Sequence, residues 1–191
     1  RLGQYLALTG ARLDGAECVW AGLATHYLPA ENLPAAKVRI AADAGAIPTI
    51  LRELSAVPPE PKIAVHAADI ERLFASNRYE DILAALEADG SDFAQVTLKT
   101  LATKSPQTCK VALRQLSTSL TLPDFAANMV MEYRISARVL TLPDFAEGVR
   151  AVIVDKDNAP KWSPATPEGV TDDLLDAIFA PLGAADEWKP L

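Results

Sequence analysis

Apolar residues recurring at every third or fourth position, fenced by capping residues and glycines, constrain this chain most. They permit helices and little else. The clearest stripe runs from Leu122 through Phe125, Met129, Val130 and Tyr133 to Ala137. Punctuation divides the rest. Gly10 suits the left-handed position after a helix over 2–9, and Asp14 with Glu17 forms a capping-box signature for a helix ending near Gly22. Ala-rich stretches predict helices over 35–44 and 48–56. Further helices are expected over 68–75, 79–88, 92–103 capped by Ser91, and 106–116 opened by Ser105. Thr121 is expected to cap the helix carrying the stripe, Thr141 one reaching about Val152, and Thr171 a last one over 172–180. Strand signals are scarce. Leu23 to Leu28 reads as a short extended segment, and Val152, Ile153 and Val154 suit either a short strand or a helix end. The expected class is mainly α.

Three prolines within Val57 to Pro61 make a stiff linker and the best boundary signal, because proline fixes φ and removes a donor. Residues 155–170 hold three more prolines and read as an ordered or clamped loop, and a polar tail follows Ala180. The heptapeptide Leu-Thr-Leu-Pro-Asp-Phe-Ala occurs at 120–126 and again at 140–146. Two copies fall short of a solenoid. They read as two similar helix starts, with Thr as cap, Pro in the first turn and Asp at the positive helix end.

The chain carries a net charge of -7, which argues against a nucleic-acid partner, since phosphate neutralisation needs surplus Lys and Arg. No apolar run approaches the roughly 20 residues that span a bilayer, and residues 1–10 lack the features of a secretory leader. The segment opening at Arg1 reads as mid-domain helix, so upstream polypeptide is expected. With only Cys18 and Cys109, a disulfide framework is not expected and a cytoplasmic setting is.

Familiar catalytic signatures are missing. His26 and His66 sit in no metal-ligand spacing, so no metal site is expected. There is no G-x-S-x-G, no P-loop and no G-x-G-x-x-G. Cys18 and His26 are close in sequence, but Cys18 falls beside Val19 and Trp20 on an amphipathic helix, where packing explains it. Two charge features remain. Lys99, Lys104, Lys110 and Arg114 follow one another with no acid between Phe93 and Pro123, giving either a local positive field or a solvated helix face. Arg150, Lys156, Lys161 and Trp162 surround the proline-bearing loop. These cations and the aromatic suit either a nucleotide-like ligand or a loop locked by its own charges and ring.

Three stretches resemble one family. Tyr5-Leu-Ala-Leu-Thr-Gly-Ala-Arg-Leu-Asp-Gly-Ala-Glu-Cys-Val-Trp-Ala-Gly-Leu-Ala resembles the general pattern of the crotonase superfamily. Lys104-Ser-Pro-Gln-Thr-Cys-Lys-Val-Ala-Leu-Arg-Gln-Leu116 with Met131-Glu-Tyr-Arg134 is more particular. So is Asp144-Phe-Ala-Glu-Gly-Val-Arg-Ala-Val-Ile-Val-Asp-Lys-Asp157 with Pro160-Lys-Trp162. Both are similar to the 3-hydroxyisobutyryl-CoA hydrolase family.

The resemblance implies the helical C-terminal portion of a crotonase-like α/β fold. Residues 1–30 would end the crotonase core, 31–73 would form a helical connector with the Pro-rich linker, and 74–191 a C-terminal helical domain. It also implies an acyl-CoA substrate, no separate cofactor, and an oxyanion hole of two backbone amides acting with a Glu and an Asp. In that family those groups precede the part matching Arg1, so no catalytic residue is assigned here and a missing N-terminal half is an expected partner. Lys156 occupies the lysine position of an E-G-x-x-A-x-x-x-x-K arrangement that relatives place near the CoA nucleotide. Arg150, Lys161 and Trp162 join it as candidate contacts. A hydrolase, a hydratase or isomerase of the same fold, and a non-catalytic interaction or homo-oligomerisation module all remain open.

Overall fold

The computed structural model describes residues 1–189. Every regular element among them is helical: α1 (Leu2–Thr9), α2 (Gly15–Trp20), α3 (Leu33–Ala42), α4 (Ile47–Leu54), α5 (Ala67–Leu73), α6 (Tyr79–Asp89), α7 (Asp92–Leu101), α8 (Pro106–Ser119), α9 (Phe125–Val139), α10 (Pro143–Val149) and α11 (Asp172–Phe179). Short 3₁₀ turns precede α3, α4, α5 and α11, and a π-helical turn, Arg150–Val154, continues α10.

The chain divides into two compact units. One joins residues 1–11 to the chain from Ile70 onward, and the other is Arg12–Asp69. The residues expected as the end of a core, 1–30, are therefore shared between the units, and the 57–61 linker lies inside the smaller one.

In the larger unit α1 packs on α7 and α8, and α6 packs on the same two helices. Phe74, Ile82, Leu86 and Leu113 are buried. Tyr5 meets Phe74 edge-on, with ring centroids 5.3 Å apart, a favourable aromatic geometry. A second cluster joins Val111, Met131, Ile135, Val170, Leu175 and Ile178, so α8, α9 and α11 share one apolar seam. Arg138 closes that seam. Its guanidinium donates to the carbonyls of Ile178, Ala180 and Pro181, which α11 leaves without helical partners. The last two positions of the polar tail, Pro190 and Leu191, lie outside the described residues.

In the smaller unit α3 packs on α4, and α2 on the 3₁₀ turn Lys62–His66. Buried Glu17 completes the capping box with Asp14 and also accepts from the Ile63 amide at 3.0 Å, tying the start of α2 to that turn.

Most caps are those the sequence announces. Ser91, Ser105 and Thr171 each accept from the amide three residues on, and Gly10 takes φ 69°. The heptapeptide copies depart from expectation. Neither Thr121 nor Thr141 caps the helix after it, and both hydroxyls donate back to carbonyls at the end of the preceding helix, Thr118 and Arg138. In the first copy Asp124 is extended and caps α9 through the Ala127 amide. In the second, Pro143 already opens α10, so Asp144 falls inside the helix and is buried. The same seven residues thus start two helices in different registers. Val152, Ile153 and Val154 form no strand and belong to the π turn, and Leu23–Leu28 lies in turn and irregular backbone.

Candidate functional site

An apolar groove of about 850 Å³ lies in the larger unit. Leu8 comes from α1, Lys104 and Ser105 from the turn before α8, Phe145 and Gly148 from α10, and Ile153 from the π turn. Asn158, Pro160 and Trp162 supply the opposite rim. The volume falls within the range of sites for small organic ligands. The groove is apolar along α10 and the π turn and polar at Lys104, Ser105, Asp144 and Asn158.

Two carboxylates on α10, three residues apart, hold this rim in place. Asp144 is 5% exposed. It accepts from the Ser105 hydroxyl at 2.5 Å and from the Ser163 amide at 2.7 Å. Ser105 in turn caps α8. Glu147 accepts from the Lys161 amide at 2.6 Å and takes the Arg150 guanidinium by both nitrogens of its fork, at 2.9 and 2.8 Å. Between these two posts the indole Nε1 of Trp162 donates to the Thr103 carbonyl at 3.1 Å. A Cβ at Gly148 would stand 3.4 Å from that ring, so helix and indole already touch closely.

Arg150 is the hub. Its Nη1 bonds Asp155 and Asp157, each at 2.7 Å, and its Nη2 also reaches the Ala159 carbonyl at 3.2 Å. Bidentate, multiply shared pairs of this kind are the strong class of surface ion pair. The Arg150 fork, and after it the Lys161 amide, hold the Glu147 carboxyl down to about 2. Arg150 first, and the Ala159 amide next, lower Asp157 in the same way. The Glu147, Asp157 and Asp155 hydrogen bonds, in that order, raise the already high Arg150.

The four residues singled out by the sequence around this loop are placed differently from one another. Trp162 faces the groove. Lys161 contributes its backbone amide to Glu147 and leaves its side chain exposed. Lys156 is exposed, at φ 56°, and among the described residues its ammonium meets no hydrogen-bond or ion-pair partner. Arg150 spends its donors within the protein. Glu147 and Asp144 are the residues the sequence reading did not single out. The Glu147–Arg150 spacing of three on a helix was a legible signal, whereas nothing local marked Asp144 as the acceptor for Ser105.

The run of cations between Phe93 and Pro123 does not converge on one place. Lys104 lines the groove and Lys99 is exposed in the last turn of α7. Lys110 pairs with Glu80 at 2.5 Å, and Arg114 pairs with Asp176 at 2.6 Å while stacking over Phe179. Both line a separate polar cavity of about 450 Å³ whose cations face Glu80, Glu168 and Asp172. Cys109 reaches the groove beside buried Tyr79, and burial pushes both the thiol and the phenol above their ordinary ranges. A resting thiol at that position is a poor nucleophile. Among the described residues no three His, Cys, Asp or Glu side chains gather to hold a metal, and no helix is long and apolar enough to cross a membrane.

The comparisons with known proteins agree on a class. The family model for enoyl-CoA hydratase/isomerase matches residues 1–179, and the chain belongs to that family, within the crotonase superfamily. Crystal structures of a carnitinyl-CoA dehydratase from Mycobacterium thermoresistibile and an enoyl-CoA hydratase from Rhodobacter sphaeroides 2.4.1 superpose with TM-scores of 0.87 and 0.84. Each is 32% identical and is matched over 96% and 95% of this chain but only 52% of its own length. These helices therefore correspond to part of a crotonase-type enzyme.

More particular relatives are called 3-hydroxyisobutyryl-CoA hydrolase, mitochondrial. Those of Xenopus laevis and Homo sapiens are each 38% identical over 97% of this chain, and that of Dictyostelium discoideum is 37% identical over 98%. The chain spans about half the length of these curated relatives.

Proposed function

We propose that this chain is the substrate-positioning helical part of a CoA-thioester hydrolase acting on 3-hydroxyisobutyryl-CoA. The observation that carries the reading is the groove with its preset rim, in a chain whose similar relatives bear that hydrolase name. The apolar wall of Phe145 and Ile153 suits the uncharged arm of an acyl-CoA, and Lys104 and exposed Lys156 supply positive charge for its phosphates. Trp162 offers an aromatic wall.

The bond-breaking chemistry is assigned elsewhere in this proposal. A thioester oxygen gathers negative charge in the transition state and needs preorganised donors. A positioned carboxylate must then handle water. We place those amides and carboxylates in polypeptide preceding the matched half. Val152, Ile153 and Val154, all more than half exposed on the π turn, support cover by further protein, either that segment or a second copy. The two free cysteines suit a reducing compartment, and fractionation of cells that express the protein tests a cytoplasmic setting.

The hydrolase reading is tested by following free CoA when the full-length protein meets 3-hydroxyisobutyryl-CoA. Thiol release supports it. The second reading is an enoyl-CoA hydratase or isomerase, favoured by the names of the two similar crystal structures. Loss of enone absorbance with crotonyl-CoA, without thiol release from the hydroxy acid thioester, selects that reading.

A further inference from the structure

Arg150 looks from the sequence like a ligand cation, but its geometry gives it another task. Every arm of the guanidinium is engaged: Nε and Nη2 on Glu147, Nη1 on Asp155 and Asp157, and Nη2 again on the Ala159 carbonyl. Little donor capacity remains for a phosphate. Its partners lie on both sides of Lys156 in sequence.

Lys156 is held in a backbone state that a non-glycine residue seldom adopts. Its φ is 56°, and that of Asn158 is 52°. Such geometry persists only where the surroundings over-determine it. Here the Asp155 amide donates to the Arg150 carbonyl at 2.8 Å and the Asn158 amide to the Ala151 carbonyl at 3.0 Å, anchoring both ends of the turn to the π segment. The guanidinium then fixes both flanking aspartates. The exposed ammonium between them is the one charged side chain of the turn without a partner among the described residues.

We propose that Arg150 is a positioning residue that acts through Lys156, holding the 155–159 turn so that the lysine ammonium is already aimed at the phosphates of a CoA-type ligand. This inference rests on the acyl-CoA reading above. It makes the ligand-facing charge of the loop depend on an arginine that never meets the ligand. The gain is preorganisation: a lysine presented on a rigid turn loses less freedom on binding than one on a loose loop.

A double-mutant cycle on the full-length protein tests it, with coenzyme A itself as the probe in equilibrium titrations of wild type, Arg150→Gln, Lys156→Ala and the double variant. Arg150→Gln is expected to weaken binding about three- to tenfold. Lys156→Ala is expected to weaken it similarly, and the double variant no further than Lys156→Ala alone. Effects that simply multiply, or an Arg150→Gln protein that binds like wild type, overturn the positioning role. An unaffected Lys156→Ala protein removes the lysine contact and the inference with it. Failure of the wild type to bind coenzyme A overturns the acyl-CoA reading itself. Should Arg150→Gln fail to fold, Asp157→Asn removes one arm of the clamp. It is expected to weaken binding only where Lys156 is present, and an equal effect in both backgrounds overturns the proposal.

Discussion

Asp144 shows how much one buried carboxylate can organise. It takes a hydroxyl from the turn before α8 and an amide from the loop after the π turn, so two segments far apart in sequence meet on one side chain. Replacing it with Ala leaves both donors facing a void. Hydrogen bonds to a charged acceptor contribute about 1.5–3 kcal/mol, so Asp144→Ala should lose roughly that in urea unfolding, with a slower loss of groove order visible as faster exchange of the Ser163 amide. Glu147 carries a pH prediction. Its folded-state value, about 2, lies below its ordinary value of 4.5. Its contribution is therefore complete above the ordinary value and falls away as pH drops toward 2. Protection of the Lys161 amide, its exchange rate compared with the intrinsic rate at the same pH, should hold at pH 5 and fall progressively below pH 4. Acceleration on raising the pH from 5 to 8, beyond the intrinsic base-catalysed rise, would contradict that sign. The sequence displayed the acids but not their partners. A helix start favours Asp whether or not a serine some forty residues earlier reaches it, so local pattern could not reveal Asp144.

At the scale of elements, the two heptapeptide copies are the informative comparison. Identical residues place Asp124 at the cap of α9 and Asp144 inside α10. Asp124→Ala should therefore cost about 1 kcal/mol, the worth of a lost cap, while Thr121→Val should cost less, because its hydroxyl bonds only a carbonyl at a helix end. Calorimetric melting of the two variants distinguishes them. Gly10, at φ 69°, terminates α1 in the left-handed region, and Gly10→Ala is expected to destabilise by about 1 kcal/mol from backbone strain. Helix existence and most caps were legible because apolar period and capping chemistry are local. The register of α10 and the π turn were not, because packing against the groove decides them. The three β-branched residues 152–154 suit a strand as well as a helix end by composition, and among the described residues there is no neighbouring strand for them to pair with.

For the whole molecule, the fold class and family were readable from three motif stretches, and the comparisons bear both out. The compact units follow long-range packing. Proline at 57–61 marks stiffness, yet the compact units exchange at residues 11–12 and 69–70, where α1 joins the later helices through Tyr5, Phe74 and α8. That long-range packing has no local signature. The groove has an apolar wall along α10 and a rim preset by Asp144 and Glu147. On the proposed hydrolase reading, these helices position the substrate and preceding polypeptide supplies bond cleavage. The most direct measurement is release of free CoA from 3-hydroxyisobutyryl-CoA, followed by thiol titration with two samples: the full-length protein and the isolated 191-residue chain. The account predicts turnover by the first and none by the second. Equal turnover by the isolated chain, or none by either, would contradict it.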